Sequence, residues 1–288
     1  MDRLFWRVKF ILFESWSKNI HVLMYTLFPF IRKNINWRAS FLHKKGYISW
    51  QGNRKEFEVK GLSFFYSGQI PIADVVSILL SEEPFIKKNF ILNSAFKLEG
   101  PYENQGVRLQ ERDVVVDVGA NIGLFSVYAA DKVGKGGRVL GFEPIEKTRG
   151  LLEKNASANG FSEIISVQPY ALGETIKKVT FTVNDEVLGD SSIEEKNGRQ
   201  EDAQQYTLDK FVEDKNLNDV NFIKADIEGM EREMLKGAER TIIKFKPKLA
   251  ICIYHLPDDP EVIEGIIRSY VPEYRMHKTK TKLFAWCE

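Results

Sequence analysis

The stretch Val114–Val118 is β-branched except for Asp117, and it runs directly into Gly119-Ala120-Asn121-Ile122-Gly123. A run with almost no polar side suits a strand buried on both faces, and such strands belong to parallel sheets covered by helices. Small residues at the bend let the backbone turn sharply and approach a ligand, and the apolar pattern after it predicts a helix over 124–132. This strand–bend–helix unit restricts the chain more than any other feature. It predicts a doubly wound α/β sheet with a ligand at the carboxyl ends of its strands.

The units that follow agree with it. A second strand is expected at Arg138–Phe142. Pro144 stands near the first turn of a helix reaching Asn159, and Gly160 stops that helix. Further strands are expected at 164–168, 179–183, 221–225 and 248–254, with a polar surface loop over 190–205. Helices are expected at Leu208–Asp214, at 231–244 and from Asp259-Pro260 onward. Residues 274–277 and 283–286 read as a closing hairpin, which places an antiparallel strand in an otherwise parallel sheet. The predicted architecture is a mostly parallel, Rossmann-like, doubly wound sheet over residues 111–288, preceded by an N-terminal α/β extension over 1–110. In that extension, 47–50, 57–60 and 62–66 read as small strands, and 72–80 and 84–90 as short helices.

The chain has 288 residues, 43 % hydrophobic and 28 % charged, with a formal charge of +1, which fits a globular domain and argues against nucleic acid as a partner. The charge is uneven: residues 1–60 carry 12 Lys and Arg against 4 Asp and Glu. Aromatic and basic residues alternate over 1–45 in an order compatible with an amphipathic helix. Such a helix packs on the enzyme body or touches a membrane surface or lipid-linked substrate. The most apolar run there, 20–31, is shorter than the ~20 residues a spanning helix needs. Glu14, Lys18 and Asn19 interrupt any signal-like stretch. Cys252 and Cys287 form neither a disulfide framework nor a metal-ligand pattern and suit a reducing compartment. The expected location is cytoplasmic, with the inner membrane face as a docking surface.

The bend admits two cofactor classes. A dinucleotide places a pyrophosphate there, and a strand-end carboxylate such as Asp117 would repel it; Leu124 also stands where the third glycine of that fingerprint would fall. S-adenosylmethionine carries an amine and a sulfonium and no phosphate, so Asp117 suits it. Glu143 ends the second strand about 20 residues further on, where a carboxylate accepts hydrogen bonds from both ribose hydroxyls. Gly119, Ala120, Asn121 and Gly123 would shape the turn, Pro144 would follow the ribose, and Ala171 is small enough to lie against the adenine. Tyr102 is expected to close over the methionine end.

Several motifs stand in order: Asp117–Gly123 with Phe125; Phe142-Glu143-Pro144; Ala171-Leu172-Gly173; Phe222-Ile223-Lys224-Ala225-Asp226-Ile227-Glu228-Gly229 with Glu231; Leu235-Lys236-Gly237-Ala238; Lys246-Pro247-Lys248; and Tyr254-His255. Together, over about residues 100–288, they resemble the FkbM family of S-adenosylmethionine-dependent methyltransferases. The resemblance implies a seven-stranded class I methyltransferase fold and O-methylation of sugar-like or secondary-metabolite hydroxyls. Small-molecule, glycan and glycolipid acceptors follow as expected partners.

Methyl transfer needs alignment, exclusion of water and, for a hydroxyl, a base. Asp226 and Glu228 follow the fourth parallel strand and His255 the fifth. His255 or Glu228 is the expected base, and Asp226 the orienter of cofactor or acceptor. Competing roles are a helix cap for Asp226, a first-turn dipole partner for Glu228 and a structural loop histidine for His255. Asp226, Glu228 and His255 also suit a divalent cation, but no fourth ligand stands out, so no metal is expected. The remaining alternatives are a non-catalytic binding module of the same fold and a nicotinamide-dependent oxidoreductase.

Overall fold

A computed structural model describes residues 35–83, 101–104, 106–183, 191–192 and 198–288. The helices expected at 84–90 and within 1–34 lie outside the described residues.

The main sheet contains β4 (Val114–Val118), β5 (Arg138–Phe142), β6 (Ile165–Gln168), β11 (Phe222–Ala225), β12 (Lys248–Cys252), β13 (Arg275–Lys278) and β14 (Lys282–Trp286). Their order is β13-β14-β12-β11-β4-β5-β6. The pairs β12–β11, β11–β4, β4–β5 and β5–β6 are parallel; β14 runs antiparallel to both β12 and β13. This is the seven-stranded arrangement expected, with the antiparallel strand lying inside the hairpin edge.

Alternation along the strands feeds two cores. Val115, Val139, Phe222, Ala250 and Phe284 face one core, shared with α3 (Leu124–Val133) and α4 (Glu146–Ala158). Val116, Leu140, Ile223, Leu249 and Leu283 face the other. That second core is covered by α5 (Leu208–Asp214), α6 (Glu231–Lys236), α7 (Glu239–Phe245) and α8 (Asp259–Tyr270). The inner strands β4, β5, β11 and β12 are largely apolar on both faces because helices cover both.

The N-terminal part holds α1 (Ile35–Lys44), an antiparallel meander of β1 (Ser49–Gln51), β2 (Glu56–Val59) and β3 (Leu62–Phe65), and α2 (Ile72–Asp74). The last of these continues as a π-helical turn over Val75–Leu80. Its apolar side joins the α3–α4 core. The exposed edge of β3 is closed by side chains: Asn155 Oδ1 accepts from Phe65 N at 2.7 Å and Asn159 Oδ1 from Ser63 N at 2.8 Å. Their amide groups donate back to Phe65 O and Ser63 O. One turn of helix spans ~6 Å, close to two residues of strand, so two asparagines four apart stand in for a neighbouring strand.

Two expectations need correction. The polar segment 190–205 is not all loop: β10 (Arg199–Tyr206) pairs along β8 (Lys177–Val183) and beside β7 (Tyr170–Leu172), with β9 (Ser191–Ser192) outside β8. The polar residues of β10 belong to a half-solvated second sheet, for which alternation rather than apolarity is the mark. The helix expected over 231–244 is two helices. A Cβ on Gly237 would lie 2.0 Å from Gly173 O, and Gly237 O accepts from Asp209 N at 2.9 Å, so the chain bends there to meet the second sheet.

Candidate active site

The carboxyl ends of β4, β5 and β11 open on a cavity of about 670 Å³, within the roughly 300–1,000 Å³ of small-molecule sites. Tyr102, Gly119, Ala120, Asn121, Glu143, Pro144, Ala171, Asp226 and Glu228 line it, all singled out from the sequence. Asp74 and Ile78 of the N-terminal part, Tyr170 and Phe181 of the second sheet, and Lys224, Ile145 and Tyr254 were not anticipated and line it too.

The bend after β4 is wound tightly. Gly119 has φ +74°, and a Cβ there would stand 2.1 Å from Asp226 O, so no other residue fits without moving β11's end. The amides of Gly119 and Ala120 donate to Phe142 O at 3.2 and 3.0 Å, that of Asn121 to Glu143 Oε2 at 3.0 Å, and that of Gly123 to Ala120 O at 2.8 Å. Four amides of the bend are thus engaged within the protein.

Glu143 is buried, and its other oxygen accepts from Ile145 N at 2.9 Å. Burial raises its pKa to about 7 against the lowering pull of those two amides, Lys224 and Arg149.

Asp117 does not reach the cavity. The strand's alternation turns it toward α3 with Val115, where Ser126 Oγ donates to Oδ2 at 2.6 Å and Lys224 Nζ lies 2.9 Å from Oδ1. Lys224 Nζ also donates to Gly119 O at 2.7 Å and Val118 O at 3.2 Å. Burial opposes the charge on Lys224, yet Asp117 and Asp226 hold its pKa above the usual value. Asp117 therefore braces the bend through Lys224 and stands outside the cavity lining where it was expected. A lysine inside the apolar strand β11 was the available signal for this pair. Gly123 is also structural: it opens α3 at φ +89°, and a Cβ would meet Leu152 Cδ1 at 2.4 Å, so its smallness serves helix packing.

At the other end, Asp226 accepts a short hydrogen bond from Tyr102 Oη, and Tyr254 Oη lies 3.4 Å from its second oxygen. Tyr102 packs edge-on against Phe125 at 5.3 Å, with Lys282 Nζ 4.3 Å from its ring centre. Burial favours the protonated form of Asp226, but Lys224, the Tyr102 hydroxyl, Lys282 and His255 together lower its pKa below the usual value. Glu228 follows with φ +53° and is 48 % exposed.

His255 lies behind this wall and does not line the cavity. Nδ1 is 3.0 Å from Glu231 Oε1, and Nε2 is 3.6 Å from Asp226 Oδ1 and 3.5 Å from Glu228 Oε2. Burial opposes a charged ring, but the carboxylates of Glu231, Asp226 and Glu228 outweigh it and push the pKa up to about 9. An imidazolium has no lone pair for a proton, and His255 stands behind the cavity lining, so the geometry favours Glu228 over His255 for the role of base. Glu231, fully buried, was read from the sequence only as a motif residue. Its oxygens accept from Ile227 N at 2.8 Å and Gly229 N at 3.1 Å and so hold the 226–229 loop.

Strand order and cavity define a class I methyltransferase fold, the class whose cofactor is S-adenosyl-L-methionine. Residues 117–276 match the family described as Methyltransferase FkbM domain, and the chain belongs to that family. It is similar to AMB antimetabolite synthetase AmbE of Pseudomonas aeruginosa, with 32 % identity over 108 residues, 38 % of this chain and 5 % of that protein. It is also similar to Methyltransferase sdnD of Sordaria araneosa, with 28 % identity over 162 residues, 46 % of this chain and 62 % of the relative. Among solved structures it resembles methyltransferase FkbM from Methylobacillus flagellatus KT, at 29 % identity and TM-score 0.48, covering 62 % of this chain and 45 % of that one. The chain spans less than two thirds of each of these three proteins. Among the described residues no helix is long and apolar enough to cross a membrane.

Proposed function

We propose that the chain transfers a methyl group from S-adenosyl-L-methionine to a hydroxyl oxygen of a sugar-like, glycolipid or secondary-metabolite acceptor. The observation that carries this reading is the combination at the bend: its amides are engaged by Phe142 O and Glu143, while Glu143 itself faces the cavity. A pyrophosphate would find those four amides taken and a carboxylate beside them, whereas a ribose finds that carboxylate with lone pairs to spare.

The residues fit the cofactor. Glu143 would take the ribose hydroxyls, Pro144, Ile145 and Ala171 would border the adenine, and Gly119 lets the backbone approach. When bound, the cofactor supplies an electrophilic methyl on a sulfonium. Tyr102 fixes Asp226, whose ionised carboxylate orients the acceptor hydroxyl by accepting its hydrogen bond. Glu228, half exposed at the cavity wall, is then the group to take the proton as the hydroxyl attacks. Tyr254, 38 % exposed beside them, offers an aromatic face of the kind a sugar ring packs on.

A basic segment at 1–60 is consistent with acceptors at an anionic membrane surface on the cytoplasmic side. Methyl-labelled cofactor incubated with the chain and a cell extract split into lipid, polysaccharide and small-molecule fractions tests both points. Label in a hydroxylated acceptor is expected. Label recovered on protein or RNA, or on nitrogen, would overturn the reading; label confined to small solutes would remove the membrane part alone.

A further inference from the structure

We propose that Asp226, Glu231 and His255 form a divalent-cation site in the cavity wall, with Glu228 at its rim. The sequence lacked a fourth ligand because Glu231 reads there as an ordinary first-turn acid of α6. Folding turns it inward. One donor atom from each of Asp226, Glu231 and His255 lies within 4.8 Å of the other two. Around Nε2 of His255 the separations 3.5 Å (to Glu228) and 3.6 Å (to Asp226) resemble those between neighbouring ligands, which stand roughly 3–3.6 Å apart when each is about 2.1 Å from one metal, while Glu231 lies 3.0 Å from the other ring nitrogen, Nδ1.

The imidazole, whose extra proton a bound cation would displace, supplies a second, independent observation. Its side chain is only 8 % exposed, and neither ring nitrogen has a hydrogen-bond partner of acceptable geometry. Buried polar atoms are nearly always bonded, so a ring without such bonds, enclosed by three carboxylates, is arranged for a ligand. Glu231 is also held in advance by the amides of Ile227 and Gly229, as supporting hydrogen bonds hold metal-binding carboxylates.

One imidazole among carboxylates suits manganese or magnesium better than thiolate-loving metals. Asp226 and Glu228 line the cavity, so a cation between them would polarise an acceptor hydroxyl. That consequence rests on the methyltransferase reading; the existence of the site does not.

The test is calorimetric titration of Mn²⁺ into the chelator-stripped full chain, without cofactor or acceptor, with the electron paramagnetic resonance signal of free Mn²⁺ followed in parallel. One saturable Mn²⁺ per chain is expected. Binding should weaken about tenfold or more in Glu228→Gln, a half-exposed change that leaves the core alone, and further in His255→Gln. The proposal is overturned if folded wild-type protein shows no saturable binding of Mn²⁺, Mg²⁺ or Zn²⁺ at millimolar concentration. It is equally overturned if both variants, folded by circular dichroism, bind as tightly as wild type. Neither result touches the labelling experiment, so the two readings fail separately.

Discussion

Lys224 Nζ lies 2.9 Å from Asp117 Oδ1, on adjacent parallel strands, with their side chains 5 % and 0 % exposed. The pair joins β11 to β4 at the point where β4 turns into the cavity floor, and the lysine's remaining protons tie down Val118 O and Gly119 O. The bend therefore keeps its shape through a buried charge pair beneath it.

Removing one partner of such a pair leaves the other charge buried and unpaired. Asp117→Asn should destabilise the chain by about 3–5 kcal/mol in urea unfolding, and the double change Asp117→Asn with Lys224→Met by clearly less. If the single variant unfolds like wild type yet loses cofactor affinity, Asp117 is a direct cofactor contact after all.

Glu143 sets a pH dependence. Its carboxyl titrates near 7 in the fold against 4.5 unperturbed. A raised folded pKa favours the protonated form, so the stability it lends is complete below pH 4.5 and is lost as pH rises through about 7. Ribose hydroxyls donate, and they need the ionised acceptor. Cofactor affinity should therefore rise between pH 6 and pH 8, reversing the trend in stability. Glu143→Gln should bind about 5–100-fold more weakly with the slope gone. Calorimetry of S-adenosylhomocysteine across this range decides it; a slope retained in the variant would place the titration elsewhere.

The asparagine pair on α4 should hold the N-terminal meander in place. Asn155→Ala strips the partner from the amide and carbonyl of Phe65 and from Ile122 O, a loss of about 1–3 kcal/mol. Hydrogen exchange at Phe65 N should accelerate with it, while Ser63 N, held by Asn159, changes less. Unaltered exchange at Phe65 N would show that apolar packing alone fixes the edge.

With Glu228 lining the cavity and His255 behind it, the proton should pass to Glu228. Glu228→Gln is expected to lower kcat by about 10²–10⁴-fold while cofactor affinity stays within about twofold. Wild-type kcat in this variant would remove Glu228 from the chemistry.

The main strands, their mostly parallel sheet and the glycine bend were legible along the chain because all three rest on local pattern. A strand buried on two faces is largely apolar, and Gly119 and Glu143 directly follow strand ends. Sheet β7–β8–β10 was only partly legible, since the polar side chains of β10 read as loop until a partner strand accepts their backbone. The acceptor end was legible by residue and not by role. Asp226, Glu228 and His255 were singled out correctly as neighbours, but whether a carboxylate or an imidazole holds the proton depends on which charges surround it.

What the amino-acid sequence determined alone is the doubly wound sheet, the bend and the residues that meet at its open end. Only the tertiary structure decided that Asp117 turns inward to Lys224, that Glu231 is drawn beneath His255, and that three carboxylates surround the ring. The reason is physical: periodicity and turn chemistry act over a few residues and are written in order, whereas pKa and charge pairing depend on burial and on groups brought close from distant parts of the chain.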